Sequence, residues 1–183
     1  MPIGGVFLIE PEKHEDDRGF FARTWCQREF ASNGIESRLV QCSISFNRVK
    51  GTLRGMHYQL APYAEDKLVR VTRGRIYDVI VDIRPNSDTF LQWFEVELTE
   101  ENRLALYTPK GLAHGFETLV DDAEVLYQMS EFFMPDYGRG FRWNDTLIGI
   151  TWPDPVKIIS ERDRTYTDIQ VDDFVYFQDG CSL

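Results

Sequence analysis

"KLVRVTRGRIYDVIVDIR", Lys67 to Arg84, is the stretch that decides the fold. β-Branched and other apolar residues crowd both sides of Arg73 and Gly74, so the stretch reads as two strands about a turn. Working outward, "QWFEVELT" (Gln92 to Thr99), "NRLALYTP" (Asn102 to Pro109) and "EVLYQMSEFF" (Glu124 to Phe133) add further strands. Each is ended by proline, asparagine or acidic turn residues. Helical signals are sparse. "CQREFASNG" (Cys26 to Gly34) predicts a short helix closed by Asn33 and Gly34, and the chain after Pro153 predicts another turn or two. Many short strands with regular turns point to an all-β fold, a closed antiparallel β-barrel or jelly roll, in which closure removes exposed edges. No linker, repeat or low-complexity tract divides residues 1–183, so a single domain is expected.

Composition bounds the function. With 43% hydrophobic and 14% aromatic residues, a 183-residue chain can bury a substantial core. A formal charge of −10 argues against nucleic acid or an anionic membrane as a general partner, because phosphates select basic surfaces, but it leaves room for a local basic pocket. Cys26, Cys42 and Cys181 are odd in number and lack CxxC spacing, which disfavours a disulfide framework or zinc site. No basic region precedes a long apolar stretch at the start, and no span reaches membrane length, so a cytoplasmic soluble protein is expected.

Polar residues interrupt these strands in a pattern. Period-two alternation places Lys67, Val69 and Val71 on one face, so an ammonium group stands beside apolar neighbours. In "RGMHYQ" the same rule sets Arg54, Met56 and Tyr58 against Gly55, His57 and Gln59. A lone strand histidine is more often a hydrogen-bonded core or edge residue than a catalyst, and a lone lysine is usually solvated. A second histidine shifts that balance. In "TPKGLAHGFETL" (Thr108 to Leu119) the order PxGxxH matches half of the signature of the cupin barrel, whose mouth commonly holds a ligand. Metal-dependent cupins add a pair of histidines two apart and a glutamate. Here Gln59 replaces the second histidine, and Lys67 stands where a negative ligand would be wanted. A fixed positive charge beside a divalent cation is costly, so a metal-free pocket that attracts an anion is expected.

"DDRGFFARTW", "GTLRGMHYQ", "KLVRVTRGRIYDVIVDIRPNS", "PKGLAHGF", "RWNDTLIGITWPD" and "SERDR" stand in the order and spacing of one family. From about Gly5 to Asp163 the chain resembles the dTDP-4-dehydrorhamnose 3,5-epimerases. The resemblance implies a cupin-type barrel with few short helices, and a nucleotide-linked 4-keto-6-deoxy sugar as substrate. It implies proton transfer at C3 and C5 without a cofactor. His57 would be the base and Asp163 its partner, orienting the ring and stabilising the imidazolium. Tyr127 would return the proton from the opposite face, Lys67 would lie near the C4 oxygen, and Arg54 and Arg18 would clamp the diphosphate. His114 and Gln59 would line the pocket, with Gln41, Ser43, Phe21 and Arg23 in the nucleotide-binding segments. The resemblance also implies a homodimer, in which N-terminal strands cross so that "RGFFARTW" completes the neighbour's pocket.

Simpler readings stand beside these. Tyr127 could be a core tyrosine and Asp163 a helix cap, while His14 reads as exposed and Trp143, Asn144 and Asp145 as loop-closing. The chain also departs from the family's pattern. Arg23 stands where a glutamate is common, and a guanidinium offers donors only, so Arg23 either suits cytosine better than thymine, which opens CDP- or GDP-linked sugars as alternatives, or turns outward and merely adds charge near the phosphates. Ser43 stands where asparagine is frequent, and Phe133 where a second tyrosine is. Epimerisation at one carbon, a non-catalytic sugar-nucleotide-binding barrel and a metal-dependent cupin are the remaining alternatives.

Overall fold

Strands with one apolar face must bury it, and here two sheets do so against each other. The structure, a computed structural model, describes residues 1–36 and 38–170. Its strands are β1 (Phe7–Ile9), β2 (Lys13–Asp16), β3 (Gly19–Ala22), β4 (Gln41–Asn47), β5 (Thr52–Gln59), β6 (Lys67–Arg73), β7 (Arg75–Asp82), β8 (Trp93–Thr99), β9 (Ala105–Thr108), β10 (Leu112–Thr118), β11 (Ala123–Met129), β12 (Gly138–Gly140) and β13 (Ile158–Ile159). The helices are α1 (Gln27–Ser32) and α2 (Glu161–Thr165). One sheet has the order β1-β9-β6-β11-β4 and the other β12-β5-β10-β7-β8, with β13 beside β5; β2 and β3 form a separate hairpin. Pairing is antiparallel apart from the short parallel contact of β13 with β5.

The turn at Gly74 is a corner, not a hairpin. β6 belongs to the first sheet and β7 to the second. Gly74 has φ +75°, and a Cβ there would lie 2.8 Å from Val120 Cγ2, so the corner needs glycine. Crossing between sheets lets both strands feed one core. Val69, Val71, Leu106 and Val125 from the first sheet meet Ile76, Ile80, Leu98, Leu112 and Phe116 from the second. The second sheet is buried on its other face too, where Met56, Val79, Val81 and Ala113 lie under Phe141, Ile148 and Ile169. Burial on both faces is why Val79, Ile80 and Val81 of β7 follow one another without a polar alternate.

Loop-closing residues behave as their chemistry suggests. Asp145 is buried and its carboxylate accepts from the backbone N–H groups of Leu147, Ile148 and Ile169, while the Trp152 indole donates to the Trp143 carbonyl at 2.8 Å. Helix α1 ends at Asn33 with Gly34 at φ +71°. At six residues α1 is too short to persist alone, and Phe30 anchors it against Leu68, Ala105 and Tyr107 on the outside of the first sheet. Cys26 and Cys42 are free thiols, and Cys181 lies outside the described residues. No helix of the described residues is long and apolar enough to cross a membrane.

One buried group is set to respond to pH. Glu117 on β10 is fully buried beside Asp154 and Lys50, and neither carboxyl oxygen makes a hydrogen bond of good geometry. Burial first, and then the Asp154 charge, push it up to about 7; the Asp154 backbone N–H and the Lys50 charge offset part of this. The folded chain therefore keeps a proton that the unfolded chain releases near 4.5. Its contribution to stability is full below that value and is lost as pH rises through about 7, at up to about 1.4 kcal/mol per pH unit. Thermal midpoints read between pH 5 and pH 8 are expected to fall more steeply for the wild type than for Glu117→Gln. Parallel curves would show that Glu117 does not titrate in this window.

Candidate active site

The two sheets supply opposite walls of a cavity of about 260 Å³. Ser43 and Ser45 of β4, Lys67 of β6 and Tyr127 of β11 come from the first sheet; Arg54 and His57 of β5 and His114 of β10 come from the second. Strict alternation would send Arg54 and His57 to opposite faces, yet both line the cavity. The cause is a bulge. His57 pairs with His114 and Arg54 with Phe116, so Gly55 and Met56 together oppose the single residue Gly115. That extra residue inverts the phase of β5, turning Met56 into the outer core. It also brings two backbones into contact. A Cβ on Gly55 would lie 2.6 Å from Gly115 Cα, and one on Gly115 would lie 2.6 Å from Met56 Sδ. Both positions require glycine.

His57 is held by α2. Ser160 caps this helix by accepting from the Asp163 N–H at 3.1 Å, so Asp163 sits in the first turn and is not itself the cap. Its buried carboxylate lies 2.7 Å from His57 Nε2 through Oδ1 and accepts from the Gly55 N–H at 3.2 Å through Oδ2. Burial alone would raise its pKa, but the hydrogen bond and charge of His57, with the Gly55 and Ser160 bonds, leave it below the usual carboxylate value. Asp163 is thus ionised, His57 Nε2–H donates to it, and Nδ1 is left as the basic atom of the ring.

The other groups on the cavity walls are also held. His114 Nε2 lies 2.7 Å from Asp78 Oδ1, with both side chains buried. The Tyr127 ring stands edge-on to His114, centroids 5.9 Å apart. Burial first, and then the Asp78 charge, push the Tyr127 phenol well above its usual value of 10, with Arg54 offsetting part, so it remains a proton donor. Arg54 Nε donates to Asn47 Oδ1 at 2.7 Å, and Lys67 Nζ lies 3.2 Å from Glu65 Oε1. Among the described residues, no three His, Cys, Asp or Glu side chains are grouped to hold a metal ion.

Not every residue expected at the site lies on these walls. Gln59 instead ties two loops together, its Nε2 donating to the Tyr63 and Phe132 carbonyls and its Oε1 accepting from Met134 N–H. Gln41 holds the second of these loops by accepting from Phe133 N–H. Arg18, Phe21 and Arg23 lie on or beside the β2–β3 hairpin, away from the cavity of their own chain. Arg18 pairs with Asp16, Arg23 pairs with Glu29 at 2.7 Å, and Phe21 is 72% exposed. Four residues of the site carry no role in the sequence reading: Ser45, Asn47 and Glu65, which lie outside the motifs, and Asp78, which lies within one. Ser45 and Asn47 follow Ser43 at period two, and Asp78 falls between the inward-facing Ile76 and Ile80, so alternation alone would have found three of them.

The matching family description, dTDP-4-dehydrorhamnose 3,5-epimerase, spans residues 1–170. The chain belongs to this family. A dTDP-4-dehydrorhamnose 3,5-epimerase of Methanothermobacter thermautotrophicus is 45% identical over 167 residues, 90% of this chain and 89% of that one. The crystal structure of the epimerase of Bacillus anthracis, with TDP and PPi bound, superposes with TM-score 0.88 at 40% identity, covering 90% of this chain and 94% of its own. A Legionella pneumophila epimerase in complex with dTDP-4-keto-L-rhamnose gives TM-score 0.86 at 36% identity, over 92% and 89% of the two chains. The fold is accordingly the cupin-type barrel of these epimerases, all-β and antiparallel.

Proposed function

We propose that this chain, residues 1–183 as one domain, inverts C3 and C5 of a dTDP-linked 4-keto-6-deoxyhexose, interconverting dTDP-4-dehydro-6-deoxyglucose and dTDP-4-dehydrorhamnose. One observation carries the reading: a carboxylate-held histidine and a protonated tyrosine stand on opposite walls of one cavity. The C4 carbonyl acidifies the protons on its neighbouring carbons. His57 Nδ1 removes one of these from one face, and Asp163 stabilises the imidazolium that results. The electron pair passes to the C4 oxygen, where the Lys67 ammonium stabilises the enolate. Tyr127 returns a proton from the other face, which inverts the carbon. Arg54, aimed by Asn47, takes the diphosphate.

The same proposal includes a homodimer in the cytoplasm. The β2–β3 hairpin pairs only with itself among the described residues and carries Phe20 and Phe21 into solvent, which suits insertion into a second copy. Arg18 and Phe21 would then reach the partner's cavity. Glu29 engages one arm of the Arg23 guanidinium, and dTDP is the nucleotide of choice because related epimerases are found with TDP or dTDP-4-keto-L-rhamnose bound. Mixing inactive Arg18→Ala and His57→Asn chains checks the arrangement. Hybrid dimers are expected to regain activity, since one of their two sites is intact; no recovery after subunit exchange would mean that Arg18 serves its own chain or none.

Proton NMR of dTDP-4-dehydro-6-deoxyglucose in deuterated water is the direct test of the activity. Deuterium is expected at C3 and C5 with formation of the inverted sugar, and an unchanged spectrum would refute the proposal. In Tyr127→Phe, exchange is expected to survive at a carbon that His57 still deprotonates, while inversion slows by roughly 10²-fold or more. Inversion at the wild-type rate would remove Tyr127 from the proton-donor role.

A further inference from the structure

Lys67 and Glu65 form an ion pair unlike those on the surface of this chain. Their side chains retain only 12% and 10% exposure at an N···O separation of 3.2 Å, whereas Arg18 and Asp16 retain 89% and 50%. Water screens such a buried pair far less. The backbone beside Glu65 is also fixed in place, because the next residue is anchored on every side. The Asp66 carboxylate accepts from Tyr107 Oη and Ser130 Oγ, each at 2.9 Å, and from Lys110 N–H at 3.2 Å. The Asp66 N–H donates to Ser130 Oγ at 2.8 Å, and its carbonyl accepts from Ser130 N–H at 3.0 Å.

The charges around the cavity are paired unequally. His57 faces Asp163, His114 faces Asp78 and Lys67 faces Glu65, while Arg54 has the neutral Asn47. A substrate with two phosphates and a carbonyl presents two sites at which a cation could settle. An ammonium on a four-carbon stem is a mobile point charge with three donors and would follow the phosphates, where the negative charge is greatest. Glu65 occupies one donor and compensates the charge. Lys67 is thereby kept from the diphosphate, with two donors left for the sugar, and Arg54 is the cation open to the phosphates.

We propose that Glu65 is a positioning residue for the epimerisation, holding Lys67 for the sugar's C4 oxygen and away from the diphosphate. This rests on the reading of Lys67 as the group that stabilises the enolate. Glu65→Gln keeps the size and one acceptor but removes the charge that restrains the ammonium.

Four proteins decide the matter: wild type, Glu65→Gln, Lys67→Met and the double variant, assayed for kcat on dTDP-4-dehydro-6-deoxyglucose and for dTDP affinity by calorimetry. Glu65→Gln is expected to lower kcat by roughly 10- to 100-fold, as misplacement of a catalytic group does. It is also expected to bind dTDP about threefold or more tightly, because Lys67 is released to the phosphates. Both effects should vanish in the Lys67→Met background. A purely structural role for Glu65 would not tighten dTDP binding. Wild-type kcat in Glu65→Gln, or the same loss with Lys67 absent, overturns the inference. Undiminished kcat in Lys67→Met instead overturns the reading of Lys67 on which it rests. Should Glu65→Gln be too unstable to assay, Glu65→Asp, with its shorter reach, is expected to lower kcat as well; an unchanged kcat there overturns the inference equally.

Discussion

His57→Asn is expected to abolish deuterium exchange at both C3 and C5, with kcat lowered by roughly 10²- to 10⁴-fold, the usual contribution of a general base. Asparagine fills much of the imidazole's space and can still hydrogen-bond Asp163, so the fold around α2 should persist. The loss would be of basicity alone, since the amide cannot take the proton that Nδ1 accepts. Among the described residues no other imidazole in the cavity replaces it, because the Nε2 atom of His114 is bound to Asp78 and the whole ring is buried. Exchange measured by NMR separates this step from inversion. Full turnover in His57→Asn would remove His57 from the base role, and exchange surviving at one carbon would assign that carbon to a different group.

Gly55→Ala is expected to cost the protein both stability and activity. The added methyl carbon would meet Gly115 Cα at 2.6 Å and the His114 carbonyl oxygen at 3.1 Å, and neither obstacle is a side chain that can swing aside. The backbone at φ +136° adds its own strain for any residue with a Cβ. Together these are expected to cost about 3 kcal/mol or more, a fall of roughly 10 °C in thermal midpoint. The same bulge sets Arg54 and His57 on one wall, so any relief by separating β5 from β10 would also misplace both. A Gly55→Ala protein with the wild type's midpoint and kcat would show that the two strands part at little cost.

The parts of the fold visible in the sequence are those set by local chemistry. Helix α1 stops at Asn33 and Gly34 because a residue free to take positive φ ends a helix wherever it packs. β6 and β7 are equally legible, but their partners are not: nothing in "VTRGRI" says that the chain leaves one sheet for the other at Gly74. The site divides in the same way. His57, Lys67, His114, Tyr127 and Asp163 stand out as chemically marked residues at family spacing. The phase of β5 is hidden, because the bulge depends on Gly115, which is remote in sequence and touches Gly55 only after pairing. Gln59 misleads for a similar reason, since its loop partners, Tyr63, Phe132 and Met134, are known only after folding. Arg18, Phe21 and Arg23 lie outside their own chain's cavity, and the contacts that one chain gives the two arginines, with Asp16 and Glu29, are local to their own segment.

The pairing of His57 with Asp163 spans 106 residues, which ties the activity to the timing of synthesis. At ribosomal speeds of 5–20 residues per second, about 5–20 s pass between the emergence of the histidine and of its carboxylate. During that interval β5 first lacks and then gains β12 and β13, its late-made neighbours along the second sheet. A nascent chain halted before α2 would hold every strand of both sheets, the lysine and the tyrosine, yet have an unaligned imidazole. Helix α2 thus switches the base on, so that catalytic competence arrives only after the strands of both sheets have been made.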